Sequence, residues 1–488
     1  MKVEIRGRAE SGLPPDDTHP YRSGPWRPQL TEYDAWDLDV IGEIPSDLNG
    51  VYLRNTETAL FEPIKRYHPF DGDAMLHAMS FENGEARYAN RFVRTDGFVA
   101  EQEARQSLWA GIAEHPSNTI ASSGRGARTM MKDNASTDVV VHGGQALASF
   151  YQCGDLYALD PRTLADEGRA DWAGRFPADG VSAHPKVDER TGELLFFNYS
   201  AEAPYMHYGV VNADRELVTY VDVPLPGPRL PHDMAFTEHW SILNDLPLFW
   251  DARSLADGYY ANRFHRDLPS RFALIPRHGT TEDIRWFEAD PTFVLHWTNA
   301  YEDGDEVVLE GFFQHNPTAR GIERAPSRFK GFETLDINVL QARHHRWRFN
   351  LTTGTTTEEQ LSDTVAEFPM INGRYAGRRH RFAYLALGAE NLFAFDGLVK
   401  HDVETGNEEV VRFDDGVFIS ETVMAPRDGA SAEDDGYLLT FTVDMINDWS
   451  ECVVLDAARP ADEPLARVRL PERISSGTHA TWAPAVAL

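Results

Sequence analysis

Cysteine, long apolar runs and positive charge are all scarce in this sequence of 488 residues. Two cysteines, Cys153 and Cys452, are too few for a disulfide framework or a cysteine-based zinc site. No run approaches the roughly 18 apolar residues of a membrane-spanning helix, and the opening "MKVEIRGRAESGLPP" lacks the apolar core of a signal peptide. We therefore predict a cytoplasmic protein, and these features leave a transient contact with a membrane surface open.

Basic residues are outnumbered by acidic ones, 46 against 77, which gives a net charge of −31. Nucleic-acid binding needs clusters of Lys and Arg against the phosphates, so this balance argues against a nucleic-acid partner. It also disfavours adhesion to anionic lipid through a broad basic surface. The charge indicates a well-solvated surface and identifies no substrate.

Helical periodicity is scarce too, and short β-like runs fill most of the chain. Examples are "GVYLRN", "TDVVVHGG", "GELLFFNYS", "DEVVLEGFF" and "DGYLLTFTVD", separated by turn signals such as "NGE", "TGE" and "EDGDE". A helix period is present in "AEQEARQSLWAGIA" and more weakly in "ARSLADGYYANRF". Many short strands predict a propeller or another large all-β array, with an irregular tail over residues 1–30 and a single domain over 31–488.

Three histidines are each followed by a short segment, a polar turn and, about ten residues on, an apolar strand, and a fourth histidine shares their phase near the end of the sequence. The segment "HPKVDERTGELLFF" starts at His184, "HDMAFTEHWSIL" at His232 and "HWTNAYEDGDEVVLEG" at His296, while "SGTHATWAP" places His479 at the same phase. In a propeller, equivalent positions on the innermost strands would converge at the axis. Four imidazoles without cysteine suit Fe, Cu, Ni or Zn. The alternative is that 18 histidines place some on similar strands by chance.

Several motifs, taken in chain order, resemble those of the carotenoid cleavage oxygenases, whose branches cleave carotenoids, apocarotenoids, stilbenes and phenylpropenes. They span about residues 40–485 and read "GVYLRNTE", "YHPFDGDAMLHAMSFENGEARYANRFVRT", "SAHPKVD", "PHDMAFTEHW", "LHWTNAYEDGDEVVLEG", "EFPMIN", "ISETVMAPRDGASAEDDGYLLTFTVD" and "GTHATW". In the first motif Thr56 and Glu57 stand where the family usually has Gly-Pro. Each motif is weak alone, and the specificity lies in their order.

The resemblance implies a seven-bladed β-propeller with Fe(II) on its axis and a cap of loops and helices that encloses an apolar tunnel. The aromatic-rich "LPLFWDARSLADGYYANRF" is a candidate for the tunnel wall, or equally for core packing. The implied iron ligands are His184, His232, His296 and His479. Four neutral imidazoles keep the charge of a ferrous site at +2 and leave coordination positions open.

Family members also use three glutamates that hold the ligand imidazoles by their second nitrogen. Glu367 and Glu421 match two of them. The third falls in "LASFYQCGDLYAL", where a gap on one side aligns Gln152 and a gap on the other aligns Tyr151. We prefer Gln152, which still accepts a hydrogen bond but carries no charge. The remaining histidines, with His77, His142 and His239 among them, are predicted to be structural.

The resemblance implies Fe(II)- and O2-dependent cleavage of a C=C bond in an apolar conjugated substrate, which gives two carbonyl products. No catalytic residue is implied beyond the metal centre. A propeller that only binds, with a degenerate metal site, is the non-enzyme alternative.

The substrate class depends on three positions predicted to line the pocket. In the branch that cleaves phenolic stilbenes and phenylpropenes, a tyrosine and a lysine grip the phenol. Their positions fall here on Ile112 and on Phe150 or Tyr151. Because an unpaired buried phenolate is costly, we predict a carotenoid or apocarotenoid substrate. A phenolic substrate is the alternative, since Lys132 lies near enough in sequence to enter the site by another loop path.

Overall fold

The computed structural model describes residues 1–112, 114–121, 131–250, 262–318 and 336–488. In these ranges the chain is mainly β-strand, with one α-helix, α1 (Asp96–Ala104). The Thr95 side chain caps its first turn, and Arg105 ends it in the left-handed conformation. The helix predicted in "AEQEARQSLWAGIA" thus starts earlier and ends sooner than expected, and most of "ARSLADGYYANRF" lies outside the described residues. None of the described helices is long and apolar enough to cross a bilayer.

The strands are numbered along the chain. The first half of the chain contains β1 (Lys2–Arg8), β2 (Thr31–Trp36), β3 (Val40–Gly42), β4 (Gly50–Thr58), β5 (Asp73–Glu82), β6 (Glu85–Phe92), β7 (Asp138–His142), β8 (Gln145–Ser149), β9 (Tyr157–Leu159), β10 (Asp166–Arg169), β11 (Lys186–Asp188), β12 (Glu193–Tyr199), β13 (Met206–Val211), β14 (Leu217–Asp222), β15 (Ala235–Phe236), β16 (Trp240–Asp245) and β17 (Leu248–Trp250). The second half contains β18 (Asn262–Phe264), β19 (Ser270–Pro276), β20 (Arg285–Ala289), β21 (Trp297–Asp303), β22 (Glu306–Gln314), β23 (Ala342–Asn350), β24 (Thr356–Val365), β25 (Glu367–Met370), β26 (Phe382–Gly388), β27 (Phe395–Asp402), β28 (Asn407–Arg412), β29 (Val417–Ile419), β30 (Val423–Pro426), β31 (Gly436–Asp444), β32 (Trp449–Asp456), β33 (Ala466–Arg469) and β34 (Ala480–Pro484). Short 3-10 helices span Gly24–Trp26, Pro69–Asp71, Pro116–Asn118, Thr281–Asp283, Ile337–Leu340, Gly373–Tyr375 and Ala485–Ala487.

These strands form the seven-bladed propeller that the resemblance implied. Blade 1 has the order β1-β2-β6-β5-β4-β34, blade 2 contains β7 to β10, and blade 3 contains β11 to β14. Blade 4 is β15-β16-β19-β20, and blade 5 contains β21 to β24. Blade 6 contains β25 to β28 and blade 7 contains β30 to β33 with β3, while β29 links β27 to β31. The hairpin of β17 and β18 stands apart from the blades.

The two ends of the chain close the ring. The C-terminal strand β34 pairs with β4, from Ala480 opposite Arg54 to Pro484 opposite Gly50. Near the N-terminus, β3 pairs with β33 and so completes blade 7. Each end of the chain thus adds a strand to the blade formed by the other end. These strands cover the edges that an open array would expose between its first and last blades.

The first strand departs from the expected irregular tail. Residues Lys2–Arg8 pair with β2 at the outer edge of blade 1. Six of its seven residues are exposed, Val3 and Ile5 among them. Val3 and Ile5 alternate with charged residues as in a strand, but the Pro, Gly and charge of residues 1–30 favoured an irregular tail.

Buried aromatic rings and one buried arginine hold neighbouring blades together. Between blades 1 and 7, the ring of Tyr52 lies 4.7 Å from that of Phe441. Arg54 is fully buried and donates to Ser420 Oγ at 2.6 Å and to the Ser475 carbonyl at 2.9 Å. Such aromatic pairs add about 1 kcal/mol each beyond their buried area. The packing therefore fixes the strands that surround the axis.

The innermost strands of the blades are β34, β7, β11, β15, β21, β25 and β30. They contact one another around the axis: β34 touches β7 and β30, β7 touches β11, and β21 touches both β15 and β25. Side chains at the beginnings of these strands are consequently brought together.

Candidate metal centre

The four predicted histidines converge on the propeller axis. Each precedes an innermost strand: His184 before β11, His232 before β15, His296 before β21 and His479 at the start of β34. One ring nitrogen of each lies within 4.8 Å of a ring nitrogen of every other. Nε2 of His184 is 3.3 Å from Nε2 of His232. The four nitrogens thus face a common point.

Burial keeps three of these imidazoles neutral. Desolvation lowers the pKa of His184 and His296 well below the usual range, and the neighbouring imidazoles lower it further. Burial also lowers the pKa of His232, to about 3. Neutral imidazole has a free lone pair and is the form that binds a metal ion.

His479 has the opposite shift. Burial lowers its pKa, yet the charges of Glu421 and Asp138 outweigh that effect, so that the net pKa is raised. Its ring therefore lies on the side of the centre where negative charge accumulates.

Three of the four rings have a carboxylate at their second nitrogen. Nδ1 of His296 lies 2.6 Å from Glu367 Oε2, and Nδ1 of His479 lies 3.5 Å from Glu421 Oε2. The third contact joins Nδ1 of His184 to Oδ2 of Asp138 at 3.2 Å. Acceptors at Nδ1 fix the ring orientation and leave Nε2 directed toward the axis.

The carboxylates themselves are anchored by main-chain N–H groups. The Phe368 N–H donates to Glu367 Oε2 at 2.8 Å, and the Ala480 N–H donates to Glu421 Oε2 at 2.6 Å. Burial raises the pKa of Glu367 to about 8. Main-chain N–H groups thus hold both carboxylates in place, and the low dielectric of the site disfavours the charged form of Glu367.

Two residues of the site adopt a left-handed backbone conformation that non-glycine residues avoid. His184 has φ of +64° and Phe368, directly after Glu367, has φ of +51°. Such conformations cost about 1–3 kcal/mol and gather at functional sites. The fold therefore keeps the His184 ring and the Glu367 carboxylate in place although the backbone at His184 and Phe368 is unfavourable.

The donor set fits a divalent iron ion. In the described residues, Nε2 of His296 is buried and has no hydrogen-bond partner, which a coordinated metal would supply. A cation at the common point would also compensate the buried carboxylates, whose charge neutral imidazoles cannot balance. Four nitrogen donors without thiolate suit Fe(II).

The structure does not bring Gln152 to a ligand ring. Its side chain is buried beside the Tyr151 hydroxyl, and within the described ranges it forms no hydrogen bond with any of the four histidines. Asp138, which the sequence reasoning missed, supplies the third carboxylate instead. The available signal was its position before "VVV", the same phase that the histidines have before their strands.

A set of aromatic side chains extends from the histidines. The Phe368 ring lies 4.5 Å from that of His296, and the Tyr151 ring lies 6.3 Å from that of His232. Phe70 lies 6.2 Å from Tyr151 and 5.9 Å from Phe393, measured between ring centroids. We call Phe70, Tyr151, Phe368 and Phe393 the aromatic wall.

The three predicted pocket positions differ in their relation to this wall. Tyr151 is part of it, and Phe150 packs against Tyr151 with ring centroids 5.1 Å apart and is fully buried. The main-chain N–H of Ile112 donates to Asp71 Oδ1 at 2.8 Å. Asp71 follows Phe70 in the same 3-10 turn, so Ile112 is tied to the segment that presents one ring of the wall.

Lys132 is committed to an ion-pair cluster. Its Nζ lies 2.5 Å from Asp73 Oδ1 and 2.6 Å from Glu101 Oε2, and all three side chains are buried. The ammonium group therefore already has two carboxylate partners. This arrangement is unlike a lysine held ready for a substrate phenol.

Three histidines predicted to be structural have partners of their own. Nδ1 of exposed His239 lies 3.0 Å from Glu302 Oε2, and Nδ1 of buried His77 lies 2.8 Å from the Tyr88 hydroxyl. Nε2 of His142 lies 3.0 Å from the Gly192 carbonyl oxygen.

A cavity of about 710 Å³ adjoins the centre and is lined by the innermost strands. Its lining includes His184, His296 and His479. It also includes the ion pair of Lys186 with Asp233, whose Nζ and Oδ1 are 2.7 Å apart. The site is thus reached by a space large enough for small molecules.

Three comparisons place these features among known proteins. A family model described as retinal pigment epithelial membrane protein matches residues 26–484. The chain is 32% identical to a carotenoid 9,10(9',10')-cleavage dioxygenase of Crocus sativus, over 94% of this chain and 88% of the relative. It is 31% identical to an isoeugenol monooxygenase of Pseudomonas nitroreducens, over 95% and 98%. Its structure matches that of a lignostilbene dioxygenase of Pseudomonas brassicacearum with a TM-score of 0.85 and 27% identity, over 97% of this chain and all of the other.

Proposed function

Because the chain belongs to the retinal pigment epithelial membrane protein family, that of the carotenoid cleavage oxygenases, we propose that it is an Fe(II)- and O2-dependent enzyme that cleaves a C=C bond oxidatively. The observation that carries the proposal is the convergence of four histidines on the axis, three of them backed by carboxylates. In the net reaction one C=C bond and one O–O bond break and two C=O bonds form. The balance requires no external reductant.

We assign the ligand role to His184, His232, His296 and His479. Bound there, iron(II) supplies the reactivity toward O2 that protein side chains lack. The chain orients three of the four imidazoles through their Nδ1 atoms and packs the aromatic wall beside the centre. It also fixes which part of a substrate lies beside the centre. These roles need no nucleophile and no general acid.

We favour a carotenoid or apocarotenoid as the substrate. A conjugated polyene gains affinity from apolar burial, at about 25 cal/mol per Å², and the aromatic wall offers such a surface. A phenolate at the same place would need a cation to offset its desolvation. Lys132 is the nearby candidate, and its ammonium group already lies between Asp73 and Glu101.

A phenolic stilbene or phenylpropene is the second candidate. The names of two relatives, isoeugenol monooxygenase and lignostilbene dioxygenase, support it. The Tyr151 hydroxyl could donate to a phenol, although burial holds its pKa well above the usual range and so disfavours a role as a base. A scaffold that binds without catalysis is the third reading.

We further propose a cytoplasmic location and no nucleic-acid partner. The support is the net charge of −31 and two cysteines that are both buried and free. A transient contact with a membrane surface would give the enzyme access to an apolar substrate.

The test combines metal analysis with a substrate panel. We expect about one iron per chain after purification, and cleavage of an apocarotenal to two carbonyl products identified by mass spectrometry. A hydroxystilbene and a 4-hydroxyphenylpropene are assayed alongside it under the same O2 supply. Cleavage of either phenol with no turnover of the apocarotenal would reverse the substrate assignment. An iron-free protein that binds the apocarotenal unchanged would favour the scaffold.

A further inference from the structure

We infer that Asp138 is a positioning residue for His184 and is the third carboxylate of the metal centre. The inference rests on the proposed function, because it presupposes that the four imidazoles hold iron. None of the motifs that identify the family assigned Asp138 a role, and the glutamate expected in blade 2 is replaced by an uncharged residue. Blade 2 nevertheless carries a carboxylate at the centre, on its innermost strand.

The two oxygens of Asp138 have separate partners. Oδ1 accepts the N–H of Val139 at 2.7 Å, which fixes the carboxylate to its own strand. Oδ2 is thereby left for Nδ1 of His184, 3.2 Å away in the next blade. The side chains of Asp138 and His184 are 10% and 5% exposed, so water competes little for this contact.

The ring of His184 needs such an anchor. Its main chain is in the left-handed region, with φ of +64°, so the position of the side chain depends on the surrounding contacts. With Nδ1 facing Asp138, Nε2 points to the axis, where it lies 3.3 Å from Nε2 of His232. An acceptor at Nδ1 also raises the basicity of the ligand nitrogen.

The position of Asp138 follows the rotational order of the propeller. Every innermost strand has one residue of the centre at or just before its first residue: Asp138, His184, His232, His296, Glu367, Glu421 and His479. Blades 2, 6 and 7 contribute the carboxylates, and each of them faces a histidine of an adjacent blade. Asp138 therefore stands where the geometry requires an acid in blade 2.

Gln152, in contrast, does not share this position. It follows β8, the second strand of blade 2, whereas Asp138 begins β7. Its side chain is buried next to the Tyr151 hydroxyl. In blade 2 the carboxylate that faces a ligand ring is thus on β7.

The test compares Asp138→Asn and Asp138→Ala with the full-length wild type. Asp138→Asn keeps an oxygen for the Val139 N–H but removes the charge that faces His184. We expect the affinity for Fe(II), measured by competition with a chelator, to fall roughly 10- to 100-fold in both variants. We also expect a changed electron paramagnetic resonance spectrum of the ferrous nitric oxide adduct, which reports the ligand arrangement and does not depend on turnover.

Asp133→Asn is the matched control. Asp133 is a buried aspartate of the same segment that accepts the main-chain N–H groups of Ala135 and Asp155. We expect this variant to retain the affinity and the spectrum of the wild type. If Asp138→Ala does not fold, Asp138→Asn decides the matter.

Two negative outcomes are distinguishable. Wild-type affinity and spectrum in Asp138→Asn would overturn this inference alone, because Asp138 would then only hold its own strand. A wild-type protein that binds no iron would overturn the proposed function, and this inference with it.

Discussion

Nδ1 of His296 and Oε2 of Glu367 are 2.6 Å apart, the shortest of the three contacts between an imidazole and a carboxylate around the axis. Glu367 is fully buried, and the Phe368 N–H holds the same oxygen. The orientation of His296 is therefore determined by a group that cannot move without disturbing β25. This pair ties the His296 ring to β25.

Replacing this carboxylate tests the link directly. We expect Glu367→Gln to lower iron affinity or turnover roughly 10- to 100-fold, because the amide keeps the shape but cannot become the anion that a bound cation favours beside His296. Chelator competition and steady-state turnover measure the two effects. Thermal unfolding close to that of the wild type shows that the fold is retained. Unchanged iron affinity and turnover would make Glu367 a structural residue.

Glu421→Gln should act in the same direction but more weakly. Oε2 of Glu421 is 3.5 Å from Nδ1 of His479, and it also accepts the Ala480 N–H at 2.6 Å. The glutamine oxygen can keep the main-chain bond, so the loss is mainly the charge facing the ring. We expect the smaller of the two losses in iron affinity. A larger loss than in Glu367→Gln would contradict the ranking by distance.

His296→Ala and His239→Ala form a matched pair. We expect His296→Ala to abolish activity and to lower the iron content of the purified protein greatly, since one of four donors is removed. His239 is largely exposed and contacts Glu302, so its replacement should keep both properties. Elemental analysis and the apocarotenal assay measure them. A fully active, iron-loaded His296→Ala protein would remove this histidine from the ligand set.

The grouping of the four histidines could be predicted because three of them share a polar turn and an apolar strand about ten residues on, His479 has the same phase, and a propeller brings such positions to its axis. Asp138 has the same position but was missed, because an aspartate before a strand is also a common turn residue. The sequence leaves the gap in "LASFYQCGDLYAL" undetermined, and the preference for Gln152 over Tyr151 rests only on the amide oxygen that can accept a hydrogen bond. Only the packing of β7 against β11, the innermost strand of the next blade, shows that Asp138 faces His184.

The outer parts of the fold were less predictable. Strand β1 alternates Val3 and Ile5 with charged residues, but the Pro, Gly and charge of the surrounding segment favoured an irregular tail. Helix α1 begins at the Thr95 cap, before the segment in which the helix period is visible, and ends at Arg105 although the period continues. At α1 the capping residues therefore determine the ends of the helix more strongly than the apolar period does.

Lys132 should matter for stability and not for substrate choice. It is buried between Asp73 and Glu101, and removing one partner of a buried ion cluster costs about 3–5 kcal/mol. We expect Lys132→Ala to lower the free energy of unfolding by roughly this amount and to leave the ratio of polyene to phenol turnover unchanged. Lys2→Ala is the control, since Lys2 and Asp37 form an ion pair that is exposed to solvent, and its loss should leave the stability almost unchanged. Selective loss of phenol cleavage in a folded Lys132→Ala protein would show that the lysine acts on the substrate.

Tyr151 distinguishes the two substrate classes, because its ring and its hydroxyl would serve different substrates. The ring lies 6.3 Å from His232 and 6.2 Å from Phe70, where it would pack against a polyene. We expect Tyr151→Ala to lower kcat/KM for an apocarotenal roughly 10- to 100-fold, since about 1.4 kcal/mol corresponds to each factor of ten and a lost aromatic contact removes a large apolar surface. Tyr151→Phe should retain most of the activity because it keeps the ring. If the physiological substrate were a phenol gripped by the hydroxyl, Tyr151→Phe would lose as much activity as Tyr151→Ala, and steady-state kinetics on both substrates would reveal it.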